Sequence, residues 1–167
     1  KTTNYACQYG AGAATVARTA GVALSLGTTL HEGYWKLNWS VKAIAEATKT
    51  KKMAGVNWQW NPISKLWYFL KTDKDRFSTL CQGTGAYICD MWIEATIQIC
   101  MERYGKPPAL CGQFHDEMIL RSKDTPKARQ IMEGIVQEAI ERVNALVQMN
   151  TTLGCDVAFG KTYADIH

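Results

Sequence analysis

The chain has 167 residues, enough to bury one hydrophobic core or parts of two. Hydrophobic residues make up 47% and charged residues 20% of the sequence, a balance that is ordinary for a soluble globular protein and excludes a disordered one. The net charge of +4 permits contact with a phosphate backbone, and the basic residues cluster at 49–52 and at 71–76, although such clusters are more often only a solvated face. No apolar run approaches the ~18 residues of a membrane span, so we expect no membrane partner.

The amino-terminal half predicts helices followed by a β-hairpin. Residues 1 to about 24 have the pattern of two helices separated by a break at Gly10-Ala11-Gly12. Thr28-Thr29 can cap a further helix that continues to about Lys51. Two aromatic-rich runs predict a pair of strands at about residues 56–70, and hence a hairpin.

The carboxyl-terminal half predicts two long helices and a second hairpin. A helix from Gln82 to Tyr104 is closed by Gly105, and an acidic hairpin follows at residues 110–121. Thr125-Pro126 caps a helix with a clean apolar stripe, and residues 153–159 predict a short final strand. Six cysteines without a C-x-x-C pair predict reduced, mostly buried thiols in a cytosol.

The acidic hairpin carries the most informative residues, Phe114-His115-Asp116-Glu117-Met118. If the period-2 pattern runs unbroken from Leu110 to Leu120, Asp116 falls on the apolar face. A carboxylate removed from water needs a cation, and adjacent Asp and Glu offer the oxygen ligands that suit magnesium. The alternative is a solvated turn that happens to be acidic.

In two other segments the types and spacing of the residues also predict a role. Lys1, Tyr5 and Tyr9 are four residues apart, so they stack on one helix face and could receive a nucleoside triphosphate. The alternative is an amphipathic helix whose tyrosines pack on a core. Gln82-Gly83-Thr84 stands at the predicted start of a helix, where small and polar residues serve as caps.

These three segments together resemble the last three sequence blocks of the DNA polymerase I family (family A). Residues 1–10, KTTNYACQYG, resemble the K-x-x-x-[FY]-x-x-x-Y-G block of the fingers helix, and residues 82–86, QGTGA, resemble the Q-G-T/S-A/G block. His115-Asp116-Glu117 resembles the H-D-E block of the palm, and the closing YADIH is similar to the native carboxyl terminus of many members. Tyr5 and the Ala-Gly after Gly10 are more similar to the phage branch than to the bacterial one.

The resemblance implies roles for residues at the nucleotide and the DNA. Lys1 would bind the phosphates of the incoming nucleotide and take part in catalysis, Tyr5 would sense the 3′ position of the sugar, and Tyr9 would lie beside the nascent base pair. The proposed DNA contacts are minor-groove contact by Gln82, primer-terminus contact by His115, backbone approach at Gly10 and phosphate contact by Arg76.

The resemblance also implies that Asp116 and Glu117 are catalytic and bind two Mg²⁺ ions. Two departures are visible. The family usually carries Asn four residues before the block glutamine, and here Ser78 stands there, which puts that minor-groove contact in doubt. The second catalytic aspartate belongs to a block upstream of the fingers helix, and we expect an amino-terminal segment outside this sequence to supply it.

The resulting expectation is an α+β chain: a helical fingers portion at residues 1–75, followed at 76–167 by part of an antiparallel palm sheet with packed helices. Its function would be template-directed transfer of nucleotides to a primer 3′ end, in the cytoplasm of an infected bacterial host. The expected partners are primer-template DNA, dNTPs and the missing amino-terminal segment, and the isolated chain would be inactive. The alternatives are a non-catalytic half that only binds primer-template and nucleotide, and an unrelated metal-dependent phosphohydrolase.

Overall fold

A computed structural model describes the backbone of residues 2–167 and the side chains from residue 3 onwards, so the predicted role of Lys1 lies outside the described residues. The chain folds as two compact units, Lys1–Thr84 and Gly85–His167. The boundary predicted after residue 75 coincides with the start of a long helix that runs through this division. No helix in the described part of the chain has both the length and the apolar character needed to cross a bilayer.

The described residues form helices and two small antiparallel sheets, which confirms the predicted α+β class. The helices are α1 (Thr2–Gln8), α2 (Ala13–Ala20), α3 (Leu24–Leu37), α4 (Trp39–Ala47), α5 (Arg76–Tyr104) and α6 (Pro126–Val147). The strands are β1 (Thr50–Met53), β2 (Val56–Trp60), β3 (Trp67–Phe69), β4 (Ala109–Phe114) and β5 (Glu117–Arg121).

The first three helices pack around a small core. Cys7, Val16 and Tyr34 are buried together, one from each helix. α3 approaches α2 closely at Gly27, where an added Cβ would lie 2.3 Å from the Cβ of Ala17. A side chain at position 27 would therefore force the two helices apart.

The third helix differs from the prediction at both ends. It begins at Leu24 rather than at Thr28, whose hydroxyl donates to the Leu24 carbonyl at 3.0 Å from inside the helix. It ends at Leu37, and after Asn38 the chain forms a separate helix, α4, from Trp39 to Ala47. Thr50 and Lys51, the last residues of the predicted helix, instead belong to strand β1.

A three-stranded sheet follows, in the order β1-β2-β3. The predicted hairpin of β2 and β3 is confirmed, and β1 adds a third antiparallel strand that the sequence did not predict. Ala54 and Gly55 connect β1 to β2 with φ of 50° and 79°, the left-handed backbone of a tight hairpin turn.

The long helix α5 begins six residues before the predicted start at Gln82. A 3₁₀ turn at Asp73–Asp75 precedes it and is capped by Thr72, whose backbone and hydroxyl both donate to the Asp75 carboxylate. Gly105, at a φ of 64°, ends the helix as expected.

The second unit is held together by α5 and α6. Buried side chains of α5 contact the apolar stripe predicted for α6, and the indole N–H of Trp92 donates to the Val136 carbonyl at 2.8 Å. The buried residues of this core are Ala95, Ile99, Cys100, Ile135, Ala139, Ile140 and Val143. Thr125 caps α6 as predicted, by accepting the Ala128 N–H at 3.2 Å.

The final strand predicted at residues 153–159 is wrong, because these residues form no ladder with any described strand. Their alternation is nevertheless real: Leu153, Cys155, Val157 and Phe159 are half-buried and the residues between them are exposed. An extended segment alternates its side chains whether or not a second strand lies beside it.

Candidate functional site

The acidic hairpin presents its central residues at its tip. Phe114 pairs with Glu117, so His115 and Asp116 form a two-residue turn between β4 and β5. His115 has a φ of 55°, a left-handed conformation that non-glycine residues adopt at a cost of roughly 1–2 kcal/mol. Its ring lies 4.5 Å from the ring of Phe114, centroid to centroid.

The Asp116 carboxylate is exposed, so the prediction that it falls on an apolar face is wrong. Two local features break the assumed alternation. The register shifts between Leu110 and Gly112, and the turn at the tip resets the phase before β5 begins. Exposure makes Asp116 available to a ligand without requiring one, because water can solvate the charge.

Glu117 is more enclosed and has a partner at the end of the chain. Its side chain is 28% exposed, and Oε1 lies 3.1 Å from Nε2 of His167. The His167 ring in turn lies 4.3 Å from the ring of Tyr163. Nothing in the sequence pattern predicted this contact, because the two residues are 50 positions apart and belong to no shared motif.

The turn that carries His167 is held by a capping box. Thr162 and Asp165 satisfy each other's polar groups, and the Asp165 carboxylate accepts the backbone N–H groups of Thr162 and Lys161. These donors, Thr162 first, hold the pKa of Asp165 below its usual range. The charged form of Asp165 therefore fixes the segment that reaches Glu117.

The thiol of Cys89 is close to the hairpin within the same unit. Burial raises its pKa, a hydrogen bond with Gln113 lowers it, and the charges of Asp90 and Asp116 raise it further. Gln113 also donates to the Asp90 carboxylate at 3.1 Å, which ties β4 to α5. Burial and the two neighbouring carboxylates therefore favour the neutral form of the Cys89 thiol.

Asp116 and Glu117 fit part of a magnesium site. Both are carboxylates, the oxygen ligands that magnesium selects. Within residues 2–167, however, the structure brings together no group of three or more His, Cys, Asp or Glu side chains that could hold a metal ion. A two-ion site built on these residues needs ligands from elsewhere.

A cavity of about 1190 Å³ lies beside the hairpin in the second unit. Asp116 and Glu117 line it together with β5, α5, α6 and the extended carboxyl-terminal segment. Basic residues also line it, namely Arg121, Lys123, Arg129 and Lys161. The cavity is therefore large enough for a small-molecule ligand and carries both signs of charge.

The two tyrosines predicted to contact a nucleotide, Tyr5 and Tyr9, are both exposed to solvent in the first unit. Tyr5 is 52% and Tyr9 53% exposed, and the Tyr9 N–H donates to the Tyr5 carbonyl at 3.0 Å. The helical turn therefore continues to Tyr9, and the two rings start from the same face about 6 Å apart along the axis. Neither ring is part of the core, which removes the alternative that they pack inside.

Gly10 has a structural reason of its own to be glycine. Its φ is 75°, and an added Cβ would lie 3.0 Å from both the Cβ and the carbonyl oxygen of Lys74. The close approach at Gly10 is thus made by Lys74 within the first unit. The predicted approach of a DNA backbone is not needed to explain this glycine.

Arg76 and Gln82 both lie on α5, in different surroundings. The Arg76 guanidinium contacts the Asp73 carboxylate at 2.8 Å, so it is already paired. Gln82 is exposed in the second turn of the helix, and the explanation that its segment caps the helix is wrong because α5 starts at Arg76. Ser78 lies one turn before Gln82, and its hydroxyl donates to the Asp75 carbonyl at 2.9 Å.

The structure thus gathers the predicted residues into separate groups. His115, Asp116 and Glu117 form one group in the second unit, whereas Tyr5, Tyr9, Gly10, Arg76 and Gln82 all belong to the first unit. Neither a comparison with protein-family models nor one with curated protein sequences finds a match to this chain.

Proposed function

We propose that this chain is the carboxyl-terminal part of a phage-type, template-directed DNA polymerase of the DNA polymerase I family. The reaction is transfer of a nucleotidyl group from a dNTP to the 3′ end of a primer. The proposal rests first on the three sequence blocks, in order and at the spacing of that family. It would place the protein in the cytoplasm of an infected bacterial host.

The observation that best supports it is the tip of the β4–β5 hairpin. The Asp116 carboxylate is exposed, forms no ion pair with a described residue, and sits beside a histidine in a left-handed conformation. Residues held in sparsely populated backbone conformations concentrate at functional sites. The turn favours glycine at such a position, so a histidine there argues for a role of its side chain.

In this proposal Asp116 and Glu117 would supply part of the ligands for two Mg²⁺ ions, and the bound ions would supply charge neutralisation at the triphosphate and activation of the primer hydroxyl. Asp116 would supply an oxygen ligand at the tip of the hairpin. Glu117 lies next to it in the sequence and is oriented by its contact with His167. His115 contacts the primer terminus. The remaining ligands of a two-ion site would have to come from outside the described residues.

The residues of the first unit bind and orient the substrates. Tyr5 and Tyr9 present two exposed rings, the first to the sugar and the second to the nascent base pair. The exposed amide of Gln82 donates to acceptors in the minor groove, where A·T and G·C pairs offer the same acceptor positions. Its contact then checks pairing geometry rather than sequence.

The test is primer extension by the chain supplied in trans with the upstream segment of a phage polymerase. Asp116→Ala should lower turnover by about 100-fold or more, because electrostatic stabilisation of the transition state is lost. Primer-template affinity should stay within about twofold, since phosphate contacts dominate it. The matched control is Glu141→Ala, which removes an exposed carboxylate from α6.

The outcomes separate the candidates. If the Asp116→Ala variant retains a tenth of wild-type turnover, Asp116 is only a turn residue and does not bind a catalytic metal ion. Binding of primer-template without any extension by the wild-type pair would identify a binding module instead. The isolated chain should not extend primers, because only part of the ligand set is present in it.

A further inference from the structure

The three-stranded sheet of the first unit has two chemically different faces. Residues that pair across antiparallel strands share a face, and neighbours along a strand alternate. Gln59 pairs with Thr50 and Tyr68, whereas Trp58 pairs with Lys51 and Phe69. These two rows therefore point to opposite sides.

The face of Gln59 and Tyr68 packs on the first turns of α5. The Gln59 amide donates to the Arg76 carbonyl at 2.9 Å, and the Tyr68 hydroxyl donates to the Gly83 carbonyl at 3.1 Å. Gln59 is 1% exposed. Gln59 and Tyr68 on this side of the sheet therefore help to hold the unit together, whereas Lys52 on the same side is exposed.

The opposite side, which we call the aromatic face, consists of Lys51, Trp58, Trp60, Trp67 and Phe69. The Trp60 and Trp67 rings lie 5.4 Å apart, and Nζ of Lys51 lies 4.0 Å from the centre of the Trp67 ring. Phe69 is 59% exposed, and the three tryptophans are only half-buried. Four aromatic side chains therefore lie together on one partly exposed face of this small sheet.

Charge in this part of the chain has one sign. Between Ala47 and Thr72 the sequence contains lysines at 49, 51, 52, 65 and 71 and no acidic residue. The three strands therefore carry only positive side-chain charge, and the carboxylate of Asp73 lines a small pocket together with Lys51 and Lys52. An anionic partner with flat apolar groups would complement the aromatic face on both counts.

We propose that the aromatic face binds single-stranded nucleic acid. Unpaired bases stack on the tryptophan and phenylalanine rings, and the phosphates between them meet Lys51 and its neighbouring lysines. A duplex hides its bases in the stack and cannot use the rings in this way. The inference stands on the sheet alone and does not depend on the chain being a polymerase.

The direct test is binding of a fluorescent oligothymidylate to the whole 167-residue chain, followed by anisotropy. Phe69→Leu keeps an apolar side chain without a ring and should weaken binding at least about fivefold, the lower end for loss of one base–aromatic stack. Phe69→Tyr keeps the ring and should bind as wild type. Trp39→Leu is the control, because Trp39 is 69% exposed on α4, away from this sheet.

A second comparison uses two adjacent lysines on opposite faces. Lys51→Gln should lower the slope of log K against log salt by about 0.7, the value for one single-strand phosphate contact. Lys52→Gln removes the same charge from the other face and should change the slope less. Both positions are exposed on an outer strand, so circular dichroism should show an unchanged fold.

Three results would overturn the proposal. The first is equal affinity for Phe69→Leu and wild type, with the variant folded. The second is an equal loss of affinity for the oligothymidylate and for a duplex of the same length when Phe69 is replaced by leucine. The third is displacement by poly-glutamate as efficiently as by unlabelled oligonucleotide, which would make the face a general site for acidic chains.

Discussion

Two glycines in α5 show how much a single Cβ matters at different places on one helix. At Gly83 an added Cβ would lie 2.9 Å from the Tyr68 ring, which also hydrogen-bonds to the Gly83 carbonyl. At Gly85 nothing lies within 4 Å. Gly83 is therefore required for packing against Tyr68. Gly85 has no such packing role and only lowers the stability of the helix relative to alanine.

We therefore expect opposite effects from the same substitution. Gly83→Ala should lower the free energy of unfolding by about 1–3 kcal/mol, because the tyrosine must move. Gly85→Ala should raise it by roughly 0.5–1 kcal/mol through helix propensity. Urea denaturation of the two variants checks both signs, and a destabilised Gly85→Ala would show that position 85 is more crowded than it is in this structure.

Tyr5 gives the sharpest test of the proposed substrate. Members of the proposed family, DNA polymerase I, that carry tyrosine at the position resembling Tyr5 tend to accept dideoxynucleotides, because the phenol replaces the polar contact of the absent 3′ hydroxyl. In the reconstituted polymerase, Tyr5→Phe should raise discrimination against dideoxynucleotides about 5- to 200-fold, the effect of roughly 1–3 kcal/mol from unpaired polar groups. Incorporation of normal nucleotides should change little.

The control for this measurement is Tyr9→Phe. Tyr9 is as exposed as Tyr5 and lies one turn away, yet it is assigned to the base pair and not to the sugar. Its loss of a hydroxyl should leave the ratio of dideoxy to normal incorporation unchanged. Equal ratios for wild type and Tyr5→Phe would mean that Tyr5 does not face the sugar.

At the scale of elements, α5 and α6 are joined by ionic contacts as well as by their core. Arg142 donates to both oxygens of Glu102, at 3.1 and 2.9 Å, and to Glu138 at 3.0 Å, while Arg103 also contacts Glu138. Arg142 lowers the pKa of Glu102, and Arg103 and then Arg142 lower that of Glu138. Both carboxylates are therefore held in their charged form.

This network makes the stability of the second unit depend on pH. A carboxyl group whose pKa is lowered by folding stabilises the protein above its unfolded pKa, about 4.3 for glutamate, and loses that effect as pH falls through the folded value. Arg142→Gln should thus lower the urea midpoint at about pH 7 and have a much smaller effect at about pH 2. Lys106→Gln removes an exposed charge outside this network and should show no such difference.

The elements show where sequence patterns succeed and where they fail. The cap at Thr125 was predictable because a threonine before a proline has one common use. Thr28 was misleading, since a threonine hydroxyl can equally bond to a carbonyl one turn earlier inside a helix. Strand β1 was missed because its lysines do not alternate with apolar residues, and its place is fixed by pairing with β2.

At the scale of the whole molecule, some features of the candidate site depend on contacts between distant segments and could not be predicted from any one of them. The spacing of residues 114–118 predicted the hairpin, but the exposure of Asp116 depends on a register shift in β4 that the sequence does not signal. The contact of His167 with Glu117 depends on the path of the extended terminal segment. Long-range placement of this kind comes from packing, which one sequence without pairing information does not specify.

The β4–β5 hairpin should be less protected against local unfolding than the α5–α6 core of the second unit. β4 is exposed at every position except Gly112, and the sheet has only two strands, which are marginally stable alone. Its amide hydrogens should exchange with deuterium well before those of buried α5 and α6 residues such as Ile99 and Ile135. The tip that carries Asp116 should thus open before the helical core of this unit. A ligand that holds the tip would slow exchange at Phe114 and Glu117, so deuterium uptake reports occupancy of the site in the absence of turnover.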